Sequence, residues 1–253
     1  MSEWKRSAIK ADGKAAMKRS YWPYVVVSLI LAFITGGGAG LNAGSQAADR
    51  GDAGSAWADI ESIFTDTETD WAIVAATLLA IGAVAVIMGI VSVALRIFAF
   101  NPLEVGCRSF FILGRSAKTS VEQVGAGFTG NYWNVVKIQF FRALFTFFWS
   151  LLFVIPGIVK SYEYRMIPYI LADNPNLSQR EAFRLSREMM KGQKWKTFVF
   201  DLSFIGWALL GLLTFGILYV FYLHPYYNAS CAELYVALRD RTPVLPDAAP
   251  HSI

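Results

Sequence analysis

The stretch SLLFVIPGIVKSYEYRMIPYILADNP, residues 150–175, decides how this chain is threaded. An apolar run reaches Ile155-Pro156-Gly157, charges follow at Lys160, Glu163 and Arg165, and a second apolar run ends at Ala172. Either the chain leaves an apolar phase for good at Pro156, or it turns there and goes back. The basic residues choose between the two. If the chain exits, the six basic residues from Arg180 to Lys196 fall on the side opposite the N-terminal Lys5, Arg6, Lys10, Lys14, Lys18 and Arg19. If residues 157–172 return, 19 of the 23 Lys and Arg share one side, as the positive-inside bias requires. The reading is therefore a hairpin turning at Pro156-Gly157, where proline lacks a donor and glycine bends freely. At about 1.5 Å per residue its return arm covers about 24 Å, short of a hydrocarbon core of about 30 Å but workable where the bilayer thins.

The rest of the chain fits that setting. It is 55% hydrophobic and 17% charged, with mean hydropathy +0.41 and net charge +4; soluble domains carry about 25% charged residues. The expected fold is all-α, a polytopic helical membrane bundle of about six transmembrane helices with interfacial amphipathic helices. Residues 1–241 form one domain with spans at about 22–41, 71–95, 134–155, 157–172, 197–213 and 216–238, followed by a disordered tail, 242–253. The last two spans come from a 42-residue stretch too long for one crossing, broken near Thr214-Phe215-Gly216. The basic lead before residues 24–34 resembles a signal peptide, with Ala43 and Ala47 as cleavage points; its length favours a retained anchor. Residues 42–70 hold seven acids and one base, Arg50, and read as a polar loop on the far side.

Two amphipathic segments are expected at the interface. Asn101-Pro102 is read as a helix break, and residues 103–116 as a surface helix with Glu104, Arg108 and Arg115 on its polar side. Ser178 and Glu181 fit a capping box opening a helix that ends near Lys191 before Gly192. Its Arg180, Arg184, Arg187 and Lys191, with Lys194, Trp195 and Lys196 after it, are the candidate contacts for anionic headgroups.

Six charges are placed within the bilayer: Arg142, Lys160, Glu163, Arg165, Asp201 and Glu233. Three are positive and three negative, a balance that points to an internally compensated network. Either it lines a polar path or it is a set of structural ion pairs. His224 is a candidate proton or polar site, with packing before Pro225 as the plainer reading. Asn228-Ala229-Ser230 matches a glycosylation sequon but lies in a predicted span. Cys107 and Cys231 form neither a metal pair nor a disulfide framework. H-E-x-x-H, G-x-S-x-G, a P-loop and a G-x-G-x-x-G set between strand and helix are absent from the sequence. No cofactor, metal site, catalytic residue or nucleic-acid partner is expected. The expected partners are membrane lipids and a membrane protein or second copy of the chain.

LLFVIPGIVKSYEYRMIPYILADNPNLS, SREMMKGQKWKTFVFDLSFIGW, LTFGI and HPYYNAS, with NPLEVG and WKRSAIKADGK toward the N-terminus, resemble the bacterial integral membrane family called domain of unknown function 975. The long acidic loop and His224 depart from its pattern. The resemblance implies a polytopic bacterial membrane protein with a retained first helix, and transfers no activity. The IPG turn is also similar to membrane domains attached to some glycerophosphodiester phosphodiesterases, which hints at lipid proximity by analogy. The function expected is an accessory, assembly or lipid-interacting role in the plasma membrane, with cytoplasmic termini and no catalysis. The alternative is a small transporter or lipid flippase.

Overall fold

The computed structural model describes residues 4–36, 71–129, 131–152 and 154–242. The acidic loop, its Arg50 and the C-terminal tail from residue 243 lie outside the described residues. Those described form helices and turns without a strand. They divide into two units, residues 1–35 with 97–253, and residues 36–96.

The opening stretch does reverse, but earlier than the sequence suggests. Helix α5 (Tyr132–Leu152) stops at Leu152 and α6 (Val154–Glu163) begins at Val154. A Cβ on Gly157 would lie 2.6 Å from Ser150 Oγ and 2.7 Å from Ser150 Cα. Gly157 is thus where the two helices touch, not where the chain bends. Pro156 sits in the first turn of α6, where a missing N–H leaves nothing unbonded. At the other end, Asn134 Nδ2 donates to Pro175 O (2.8 Å) and Leu177 O (2.7 Å). The chain that departs at Asn134 is back beside it by Leu177.

Residues 157–172 are not one helix. α6 ends at Glu163, residues 164–166 turn, and α7 (Ile167–Asp173) restarts with Pro168 in its first turn. Pro168 cannot donate to the carbonyl of Tyr164, which favours the break seen there. α7 is buried in protein: Ile167, Ile170 and Leu171 are at most 1% exposed. Residues 194–213 likewise form α9 (Lys194–Leu202) and α10 (Ile205–Leu213), kinked where Ser203 Oγ donates back to Phe200 O. The freed carbonyl of Ser203 accepts from Lys10 Nζ at 3.2 Å.

The second reversal falls at Thr214-Phe215-Gly216, where the sequence places it, with positive φ at Phe215 (51°) and Gly216 (83°). The return leads through a π segment, Tyr219–Leu223, into α11 (His224–Arg239). α11 is the central helix of its unit. Between Pro225 and Leu238 nearly every side chain is buried, against α1 (Arg6–Arg19) and α4 (Asn101–Leu113) among others.

α4 corrects the sequence reading twice. Asn101-Pro102 does not break the helix; a π segment, Arg96–Phe100, absorbs the proline and α4 continues from it. Nor does α4 lie at a surface. Cys107, Phe110 and Phe111 are fully buried and Glu104 is 7% exposed. Tyr24, from α2 (Tyr21–Gly36), packs edge-on against Phe110 and Phe111, each at 5.2 Å between ring centroids. The basic lead is α1, whose Ile9, Gly13, Ala16 and Met17 are buried. α8 (Gln179–Met190) has the expected capping box and stops before Gly192, whose φ of +71° glycine accepts readily.

Among the described residues, three stretches are long and apolar enough to cross a membrane: Val74–Leu113, Tyr132–Leu152 and Lys194–Leu213. α3 (Trp71–Leu95) is apolar all round and its side chains from Ala75 onward are exposed, the pattern of a helix whose solvent is lipid. In the larger unit both hairpin tips carry exposed apolar side chains. Leu152 and Ile155 flank one; Leu212, Leu213 and Phe215 form the other, Phe215 being 98% exposed. Patches of this kind mark a membrane or partner surface.

Candidate functional site

The six charges expected to form one network fall into four groups. Arg165 forms a bidentate pair with Asp201, including Nη2 to Oδ1 at 3.0 Å. Tyr162 and Tyr227 also donate to Asp201, at 2.8 and 3.0 Å. Glu163 is held by Lys160 (3.0 Å) and Lys194 (2.7 Å), so Lys194, a candidate headgroup contact, is an ion-pair partner. Glu233 pairs with Arg115 at 2.7 Å. Arg142 meets Glu104 at 3.1 Å.

Glu104 and Arg108 are what the sequence reading missed. They lie one helical turn apart on α4, the two charges of an otherwise apolar NPLEVGCRSFFIL. A polar face that small signals internal partners better than water. Glu104 accepts from Gln139 Nε2 (3.3 Å) and Arg142 Nη2 (3.1 Å), and lies 3.5 Å from Arg108 Nη2. Arg108 Nη1 donates to Tyr169 Oη and to Asn228 Oδ1, each at 3.0 Å. Asn228, the sequon asparagine, is 2% exposed and so serves the interior. It also lies 3.2 Å from His224 Nδ1. His224 itself borders a smaller pocket of about 260 Å³ with Asp201 and Tyr227.

These groups frame a cleft of about 460 Å³ between α4, the α5–α6 hairpin, α7 and α11. Arg108, Arg142 and Arg165 line it, with Glu104 and Tyr169 toward the interior. At its mouth stand Phe147, Ser150 and Ser161, all exposed on the hairpin flank. A second, more open groove of about 690 Å³ runs between that hairpin and the start of α8. There Lys160, Arg180 and Arg187 stand beside Phe145, Trp149 and Phe183. On α8 itself, Arg184 pairs with Glu188 at 3.3 Å, while Arg180 and Lys191 are exposed. Ser178 donates to Glu181 at 2.7 Å, and hydrogen bonds to Ser178 hold that carboxyl below its ordinary value. Trp195 and Lys196 border a third groove, of about 620 Å³, with the start of α1. Trp4 Nε1 donates to Gln193 Oε1 at 3.0 Å just beside it.

Residues 137–242 match the family model described as protein of unknown function (DUF975). The DUF975 segment carries Arg142, Arg165, Tyr169 and Tyr227 of the cleft, whereas Glu104 and Arg108 lie N-terminal to it. The NPLEVG and WKRSAIKADGK parts of the resemblance also fall outside the matched residues. No curated protein and no solved structure matches the chain. Among the described residues no group of three or more His, Cys, Asp or Glu is placed to hold a metal ion.

Proposed function

We propose that this chain is a multi-pass protein of the bacterial plasma membrane, without catalytic activity of its own, that works as an accessory or assembly module by engaging anionic lipid headgroups. Six crossings with both termini in the cytoplasm accord with the bias of Lys and Arg toward one side. The bacterial setting rests on the family resemblance.

The observation that carries the reading is the groove beside α8. Its Lys160, Arg180 and Arg187 adjoin the aromatic flank of an apolar hairpin. Cations at the rim of an apolar wall suit a phospholipid, whose headgroup meets the charges while its chains cover the wall. Each basic residue at an anionic surface contributes about 1 kcal/mol. The test is lipid retention by protein extracted from a bilayer of mixed phosphatidylglycerol and phosphatidylcholine. The variant R180Q/R184Q/R187Q is expected to retain at least about tenfold less phosphatidylglycerol, a loss within three such contributions. Unchanged retention would overturn the reading. The alternative, a small transporter or flippase, draws on the cleft. Robust lipid or solute flux by the purified protein in proteoliposomes would put it first.

A further inference from the structure

The cleft has an unbalanced charge. Three guanidinium groups line it, and two carboxylates face them: Glu104, between Arg108 and Arg142, and Asp201, on Arg165. One positive charge is left over in a space walled by protein on one side and opening onto an apolar hairpin flank on the other. Surplus charge in such surroundings is unfavourable unless a counter-charge sits with it.

The donors are also in surplus. A guanidinium carries five N–H groups and no acceptor. Arg142, which lines the cleft with a side chain 25% exposed, bonds Glu104 through Nη2. Arg108 Nε is buried without a partner. The volume, about 460 Å³, lies within the range of small-ligand pockets, about 300–1,000 Å³.

We propose that this cleft binds a phosphate-class anion, held by the N–H groups of Arg142 that Glu104 does not take, in the positive field of Arg108 and Arg165. Its source is either the headgroup of an anionic phospholipid entering past Phe147 and Ser150, or free phosphate. The proposal deepens the lipid-binding reading by naming a second, internal site, and rests on that reading only for the lipid source. The basic face of α8 plays no part in it.

The test titrates the detergent-purified full chain with inorganic phosphate, short-chain phosphatidylglycerol and matched phosphatidylcholine by calorimetry. One saturable site is expected for phosphatidylglycerol, phosphate or both, and none for phosphatidylcholine. Response to phosphatidylglycerol alone identifies the lipid source; response to phosphate identifies the free anion. Arg142→Gln is expected to weaken binding about tenfold or more, as loss of a charged hydrogen bond should. Glu104 keeps Arg108 and Gln139 in that variant, so the fold has its support. Ala143→Trp keeps every charge, fills the mouth from an exposed position, and is expected to weaken binding equally. The R180Q/R184Q/R187Q variant should stay within about twofold of wild type here, since none of the three lines the cleft and exposed charges contribute little across solvent. Absence of any saturable anion site, or binding unchanged in both R142Q and A143W, would overturn the proposal. Binding lost only in the α8 variant would sink the cleft and leave the surface reading standing. Binding lost only in R142Q and A143W, with bilayer lipid retention unaffected by the α8 substitutions, would do the reverse.

Discussion

Gly157→Val tests the reversal on which the threading depends. The substitution places a Cβ 2.7 Å from Ser150 Cα and 2.6 Å from Ser150 Oγ. Ordinary contacts between carbons are about 3.5–4.0 Å, so α5 and α6 must separate by about 1 Å along the hairpin. Backbone stands on the opposing side, and a rotamer change cannot relieve it. Valine improves helix propensity over glycine by only about 0.3 kcal/mol, whereas overpacking costs about 1–3 kcal/mol. The second effect wins, and the net loss should be about 1–3 kcal/mol. The assay is thermal unfolding of the purified protein in a fixed detergent, followed by monodispersity on heating. Ser150→Gly removes the Cβ and Oγ but not the Cα, so the double variant should recover part of the loss, a coupling that a mutant cycle isolates. Gly125→Ala, where a Cβ meets nothing within 4 Å, serves as the control. If Gly157→Val melted with wild type, or Ser150→Gly gave no recovery, the α5–α6 contact would be wrong.

Asp201→Asn leaves Arg165 without its carboxylate in a pair whose side chains are 18% and 23% exposed. Breaking buried pairs costs about 3–5 kcal/mol, and this partial exposure lowers the expectation to about 2–4 kcal/mol; R165M/D201L should regain much of it in the same thermal assay. Ser178→Ala removes the cap of α8, and hydrogen exchange of its first turn should quicken about fivefold. The Glu181 carboxyl titrates below its ordinary value because it accepts from Ser178. Its contribution is therefore complete above the unfolded value, about pH 4.3, and is lost as pH falls through the lower folded value. Exchange at residues 179–182 should quicken below about pH 4, and intrinsic-rate-corrected exchange that stays level to pH 3 would contradict the capping box. Cysteines placed at Lys5 and Lys191 should be labelled from the same side of intact membranes, because Trp4 and Gln193 share a 3.0 Å hydrogen bond. Labelling from opposite sides would refute the threading.

What the sequence made legible was mostly local. The Ser178–Glu181 box, the Gly192 stop and the Thr214–Gly216 turn are each written in a few adjacent residues, and the structure has them there. The Pro156-Gly157 turn was misplaced by a few residues because proline and glycine mark a bend as readily as a first turn and a contact point. Pro156 is the former and Gly157 the latter, a distinction that depends on Ser150 across the hairpin. The charged groups were the least legible. Arg142 finds Glu104, 38 positions away, and Glu233 finds Arg115, 118 away. Pairings at such separations leave no periodic trace. The burial of α4 had the same obscurity, since its polar pair looks outward until Arg142, Tyr169 and Asn228 are known to surround it.

The prolines connect these observations. Pro102 cannot donate to the carbonyl of Phe98, four residues back, nor Pro225 to that of Phe221. Each follows a π segment, and each freed carbonyl receives a tyrosine hydroxyl: Tyr132 Oη to Phe98 O at 2.6 Å, Tyr21 Oη to Phe221 O at 2.8 Å. Backbone left unbonded in lipid is unfavourable by several kcal/mol per group, and the tyrosine hydroxyls supply the missing bonds at Phe98 and Phe221. Both widened turns lead directly into the helices that bring Arg108 and Tyr227 to the cleft. Just beyond the two widened turns, the Arg108 bonds to Tyr169 and Asn228 tie α4 to α7 and α11. It follows that losing the Tyr132 or Tyr21 hydroxyl should disturb the cleft without touching it.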